Sequence, residues 1–132
     1  MLQKEVIDRI VAAPGSGEYG RLTVMLAPHV RVEALFDIPP QAFRPPPKVM
    51  STFLRMTPHR QAPFALPDPA AYARVVAAAF AQRRKTLRNA LQTLLSDQEI
   101  AAAGVDPSLR AETVAPGGYA ALALRYVQRN TR

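Results

Sequence analysis

Hydrophobic and polar positions along the chain change rhythm several times, and each rhythm predicts an element. Leu2, Val6, Ile10 and Val11 fall on one face of a 3.6-residue spiral, with Lys4, Glu5, Asp8 and Arg9 turned away. This predicts an amphipathic helix that Pro14-Gly15 ends. Leu22, Met25 and Leu26, spaced three and four apart before Pro28, suggest a short second helix, with a strand as the alternative on propensity. Val30, Val32, Ala34, Phe36 and Ile38 then alternate with Arg31, Glu33, Leu35 and Asp37, the period of a strand with one mainly apolar face. Residues Val49 to Met56 predict a second strand, antiparallel to the first. Two strands and two short helices cannot close a core, since an isolated hairpin is marginal in water, so this first part reads as incomplete.

The second half turns helical after a stiff connector, Thr57 to Pro69, that contains four prolines. Asp68 and Pro69 make an N-cap and first-turn pair for a helix from Ala70 to about Gln82. Thr86 to Leu95 predicts the next helix. Ser96 with Glu99 forms a capping box for a short one that Gly104 ends, and Pro116 opens the last, through Tyr119, Leu122, Ala123 and Tyr126. No internal repeat is present.

Between the two predicted strands lies Ile38 to Ser51, reading IPPQAFRPPPKVMS. Its five prolines each fix φ near −65° and remove an N–H donor, which excludes helix and favours polyproline II. Phe43 and Lys48 therefore sit on a pre-ordered arm. Phe43 is either presented to a ligand or tucked into the core, and Lys48 is either a phosphate contact or a solvated strand-end charge.

Composition narrows the function classes. The 132 residues carry 17 basic against 10 acidic side chains, a formal charge of +7, so a polyanionic partner is expected. The signal is weakened because 14 of the 17 are Arg in a chain with 23 Ala and 13 Pro, a bias that a GC-rich genome produces by itself. Cysteine is absent and the two histidines, His29 and His59, are far apart, so no metal site and no thiol chemistry are expected. No apolar run approaches the ~20 residues of a membrane span and the start is unlike a secretory leader, which predicts a soluble cytoplasmic protein. The oligomeric state is left open.

Local clustering is more specific than total charge. Gln82 to Asn89, QRRKTLRN, holds Arg83, Arg84, Lys85 and Arg88 with no acid adjacent in sequence. Val76, Phe80, Leu87, Leu91 and Leu94 make a continuous helical stripe into which Arg83 would fall. Either the helix breaks between Gln82 and Thr86, or Arg83 is partly buried against a carboxylate such as Glu112. Arg84 and Arg88, four apart with Lys85 beside them, suit adjacent phosphates, though a solvated helix face gives the same pattern.

YGRLTVM at Tyr19 to Met25, FRPPPKVMS at Phe43 to Ser51, AFAQRRKTLRNAL at Ala79 to Leu91 and RAE at Arg110 to Glu112 resemble, in order and spacing, the ribosomal RNA adenine dimethyltransferase family. The resemblance implies an α/β fold: the last strands and helices of a doubly wound, Rossmann-like methyltransferase domain in residues 1–58, then a small all-α RNA-binding domain in 59–132. It implies an enzyme that dimethylates two adjacent adenosines near the 3′ end of small-subunit ribosomal RNA, with S-adenosylmethionine as cofactor and the immature 30S subunit as partner. Phe43 matches the family aromatic that stacks on the target adenine. Lys48, Arg84, Lys85 and Arg88 are the expected RNA contacts, and Arg83 with Glu112 the expected structural ion pair. The family's E-x-G-x-G cofactor turn and its N-L-P-Y catalytic motif have no match here, so no catalytic or cofactor-binding residue is expected in these residues. Met1 then looks like an internal methionine of a longer protein, inactive in this portion. The alternatives are a stand-alone RNA-binding or ribosome-assembly module without catalysis, and a nonfunctional remnant.

Overall fold

The computed structural model describes residues 1–66, 68–82 and 84–130. In chain order the elements are β1 (Leu2–Gln3), α1 (Lys4–Val11), α2 (Arg21–Leu26), β2 (Val30–Ile38), β3 (Ser51–Pro58), α3 (Pro69–Ala81), α4 (Leu87–Ala90), α5 (Asp97–Ala102) and α6 (Pro116–Asn130), with 3-10 turns at Pro40–Ala42 and Ala111–Thr113. The strands form one antiparallel sheet in the order β1-β3-β2. Among the described residues no helix is long and apolar enough to cross a membrane.

The first helix begins later than the apolar spacing predicts, at Lys4. Leu2 and Gln3 pair with Thr52 and Ser51 instead. A strand partner satisfies their backbone groups, which a first helical turn would leave unpaired. The helix then buries Ile7 and Ile10 and leaves Leu2 and Val11 exposed. Lys4 reaches Asp8 at 3.4 Å and Asp37 of β2 at 3.7 Å, and Glu5 pairs with Arg9 at 2.8 Å.

The second strand does not present one apolar face along its length. Ala34 stands opposite Leu54 but Phe36 opposite Phe53, so Leu35 is an extra residue in β2. Leu54 and Phe53 are neighbours on β3 and point to opposite sides of the sheet, hence so do Ala34 and Phe36. Past this bulge it is Asp37 that shares the side of Thr52, whose hydroxyl it accepts at 2.9 Å. Phe36 and Phe53 stack with ring centroids 5.3 Å apart on the other side, 58% and 45% exposed. The same side carries Glu33 opposite Arg55 and Arg31 opposite Thr57, so the two rings form a small exposed patch on an otherwise polar side. The third strand starts at Ser51, two residues after the predicted Val49, and just before it the Met50 carbonyl accepts the Lys4 N–H at 2.9 Å.

The main buried cluster joins the helical half to α2 and its approach. Tyr19 and Val24 are buried in it with Tyr72, Val75 and Val76 of α3, Leu87, Leu91, Leu94 and Leu95, and Tyr119 and Leu122 of α6. Tyr19 donates its hydroxyl to the Val114 carbonyl at 2.5 Å, and Tyr72 donates to that of Val24 at 2.6 Å. Each hydroxyl crosses residue 58, one in either direction, so the core is continuous across that position. The helix expected over 86–95 is regular only at Leu87–Ala90. Beyond it the chain tightens, with Leu94 N–H on the Leu91 carbonyl at 2.8 Å, and buries Leu91, Leu94 and Leu95 together. The capping box is present: Glu99 N–H meets the Ser96 hydroxyl at 3.2 Å and Ser96 N–H meets the Glu99 carboxylate at 2.9 Å. Gly104, at φ +84°, ends α5 in the left-handed region that glycine enters without strain.

Close packing at the start of α6 is testable. A Cβ on Gly118 would stand 2.7 Å from Cγ1 of buried Val114, whereas one on Gly117 would meet open space. We expect Gly118→Ala to lose about 1 to 3 kcal/mol by overpacking. Gly117→Ala should instead be neutral or gain up to about 1 kcal/mol from the lower entropy of the unfolded chain. Thermal melts of the two variants check the pair, and equal melting temperatures would contradict the close approach.

Candidate nucleic-acid interface

Two features bring the candidate side chains to the surface: the proline arm and the break between α3 and α4. The arm, residues 39–50, leaves the sheet where Ile38 pairs with Ser51. Its turn at Pro40–Ala42 is closed by the Phe43 N–H on the Pro40 carbonyl at 3.2 Å. Phe43 itself is extended (φ −115°, ψ 155°) and half-buried. Among the described residues it belongs neither to the main buried cluster nor to its partly buried margin, and it has no aromatic ring contact. Lys48 is exposed near the end of the arm. Beside the returning arm, Gln3, Lys4, Asp8, Arg9, Glu18 and Met50 help to line a cleft of about 470 Å³ of mixed charge.

The helix break falls where one of the two sequence readings put it. Gln82 (φ −132°, ψ 67°) ends α3, the Lys85 N–H bonds the Gln82 carbonyl at 3.0 Å, and α4 starts after Thr86. Arg83 lies outside the described residues. Its expected partner Glu112 is half-buried in the turn Ala111–Thr113, and one carboxylate oxygen, Oε2, is buried without a hydrogen-bond partner among the described residues. Arg84 and Lys85 are exposed, and no ion pair holds either among the described residues.

Arg88 differs. It is also exposed, but its Nε lies 2.6 Å from Asp97 Oδ2 at the start of α5. Asp106, held below the usual carboxylate range mainly by the Ser108 N–H and hydroxyl, also feels the Arg88 charge. The cluster that is acid-free in sequence therefore has two carboxylates in space. Sequence reasoning missed Arg110: it pairs with Thr86 as an isolated bridge, with the Leu87 N–H on the Leu109 carbonyl at 2.8 Å. This places a further exposed cation beside Lys85 and Thr86. Only the RAE motif hinted at it, since the two positions are 24 apart in the chain.

This arrangement can bind a polyanion and present one aromatic ring. A family profile described as ribosomal RNA adenine dimethylase matches residues 1–128. The chain is 54% identical over 123 residues to a ribosomal RNA small subunit methyltransferase A of Methylobacillus flagellatus, and 52% identical over 123 residues to that of Pseudomonas aeruginosa. Each match covers 93% of this chain but only 48% and 46% of those proteins, so the chain spans about half their length. Among solved structures, a dimethyladenosine transferase from Plasmodium falciparum matches over 96% of this chain and 55% of its own, with a TM-score of 0.78 at 19% identity. The 23S rRNA methyltransferase ErmE matches over 96% and 52%, with a TM-score of 0.63 at 24% identity. At those identities the likeness is one of α/β fold.

Proposed function

From the premise that this chain belongs to the ribosomal RNA adenine dimethylase family, we propose that it is the RNA-contacting half of an adenine N6,N6-dimethyltransferase. In this reading the whole enzyme dimethylates two adjacent adenosines near the 3′ end of small-subunit ribosomal RNA, and its partner is the immature 30S subunit. Residues 1–58 are the last strands and helices of a doubly wound methyltransferase domain, and residues 59–132 a helical RNA-binding unit. The family match over nearly the whole chain carries the proposal. The exposed Phe36–Phe53 stack, a local apolar patch on the sheet, is in keeping with a neighbouring element beside these strands.

S-adenosylmethionine would supply the methyl group, but the residues present do not fit it. The two glycines with positive φ, Gly15 and Gly104, follow the ends of α1 and α5 rather than joining a strand to a helix as a cofactor turn does. No step of transfer is therefore attributed to this chain. Its own residues bind and orient: Phe43 offers a ring to an unstacked adenine, and Lys48, Arg84, Lys85 and Arg88 meet phosphates. A pair of Arg83 with Glu112 would satisfy the Glu112 oxygen that has no partner among the described residues.

The test uses the 132-residue chain and a chimera joining it to the first half of the Methylobacillus relative. The chain alone should bind small-subunit RNA yet show neither cofactor binding by calorimetry nor methylation, whereas the chimera should methylate. Replacing Arg84, Lys85 and Arg88 with Ala should flatten the slope of log affinity against log salt by about 2 to 3 units in both proteins. A chimera that binds RNA but never methylates would favour the stand-alone binding module. An unchanged salt slope would return the three cations to a solvated face.

A further inference from the structure

We infer that the cleft between α5 and α6 receives a backbone phosphate of the bound RNA on Arg125, a contact separate from the Arg84 to Arg88 segment. The inference rests on the RNA-binding reading above. The cleft, about 410 Å³, is lined by Glu99, Arg125, Gln128 and Arg129. Two guanidinium groups thus face one carboxylate, and both Glu99 and Arg129 are already engaged. Glu99 accepts the Ser96 N–H at 2.9 Å, the main cause of its lowered pKa, and lies 3.5 Å from Arg129. Arg129 donates to the Leu94 carbonyl as well.

Arg125 bears on Glu99 only through its charge, and no ion pair holds it among the described residues. It is half-buried, its Nε is buried, and that N–H has no hydrogen-bond partner among the described residues. A buried, unpaired donor is costly, and a guanidinium cannot escape the cost by losing its proton. The buried Nε is closed to an outside ligand, but the side chain lines the cleft, where a phosphate meeting the rest of the planar fork would offset its charge.

Two observations favour a phosphate that arrives on a polymer. With Glu99 paired to Arg129 the cleft keeps a single positive charge, a weak site for a free anion that a tethered phosphate fills through its effective concentration. The cleft is also connected to the basic segment, since Arg88 pairs with Asp97 at the start of α5, the helix that carries Glu99. A strand lying on Arg84, Lys85 and Arg88 is thereby led toward α6.

The experiment measures binding of a labelled small-subunit RNA hairpin to the 132-residue chain across a salt series, with thermal melts of every variant. Arg125→Gln should reduce the slope of log affinity against log salt by about 0.7 to 0.9, one phosphate contact, and Arg125→Lys should restore most of it. Gln128→Glu, which adds a carboxylate to the cleft, should weaken binding several-fold without changing the melt. That variant decides the matter if Arg125→Gln fails to fold. Wild-type slopes for both Arg125→Gln and Gln128→Glu, while the Arg84, Lys85 and Arg88 triple variant loses its contacts, would overturn the cleft and leave the RNA reading standing. Inorganic phosphate that raises the wild-type melting temperature but not that of Arg125→Gln, with RNA slopes equal, would make it a free-anion site and overturn the inference too. Absence of any salt-dependent RNA binding by the wild type would instead remove the RNA reading, and the inference with it.

Discussion

Raising the pH above about 10 should destabilise this protein steeply, by up to about 4 kcal/mol per pH unit. Tyr19, Tyr72 and Tyr119 are 0%, 1% and 0% exposed. Burial pushes all three phenols well above their ordinary value, with nearby Tyr19 adding to the shift at Tyr72 and Tyr119. Each hydroxyl donates to a carbonyl, that of Tyr119 to Ala111 at 2.6 Å, a bond the phenolate cannot make. Because the folded values are raised, the stabilisation is complete below the unfolded value near 10. It is lost as pH climbs toward the folded values, where only the unfolded chain has released its protons. Each tyrosine contributes about 1.4 kcal/mol per pH unit in that window. Denaturant midpoints between about pH 9 and 11 measure the slope. Tyr119→Phe should remove about a third of it while lowering stability at neutral pH by about 0.5 to 1.5 kcal/mol, since the Ala111 carbonyl loses one bond but keeps the Val114 N–H. Phenolate absorbance that rises fully near pH 10, with the fold intact, would contradict the burial of these rings.

The second large effect is functional. In the chimera described above, Phe43→Ala should lower turnover on small-subunit RNA by roughly 5- to 150-fold, the equivalent of a stacking face worth about 1 to 3 kcal/mol. Phe43→Tyr and Phe43→Trp should keep most of the activity, and cofactor affinity should barely move. The ring sits on a proline arm, half-buried, and outside the main buried cluster and its margin. Removing it should therefore leave the melting temperature nearly unchanged. If Phe43→Ala unfolds the protein the ring is core packing, and if methylation continues at the wild-type rate it is a bystander.

Local signals were legible where the physics is local. The Ser96–Glu99 capping box, the Asp68 cap, the stop at Gly104 and the start at Pro116 rest on backbone groups within a turn of the residues that satisfy them, and all are present. Phe43 and Lys48 were likewise marked by the prolines around them, and the family resemblance by motifs contiguous in the chain. Long-range packing decided the rest. Only the pairing with β3 draws Leu2 out of the first helix, and only the Leu35 bulge turns Phe36 to the side opposite Ala34, because strand register is a property of two chains segments together. The charge of the basic segment also depended on tertiary structure: Asp97 and Asp106 reach Arg88, and a bridge of backbone hydrogen bonds sets Arg110 beside Thr86. Arg125 offered no sequence signal at all. Its place in the proposed phosphate contact comes from Glu99 being engaged by Ser96 and Arg129, which only the packing of α5 against α6 reveals.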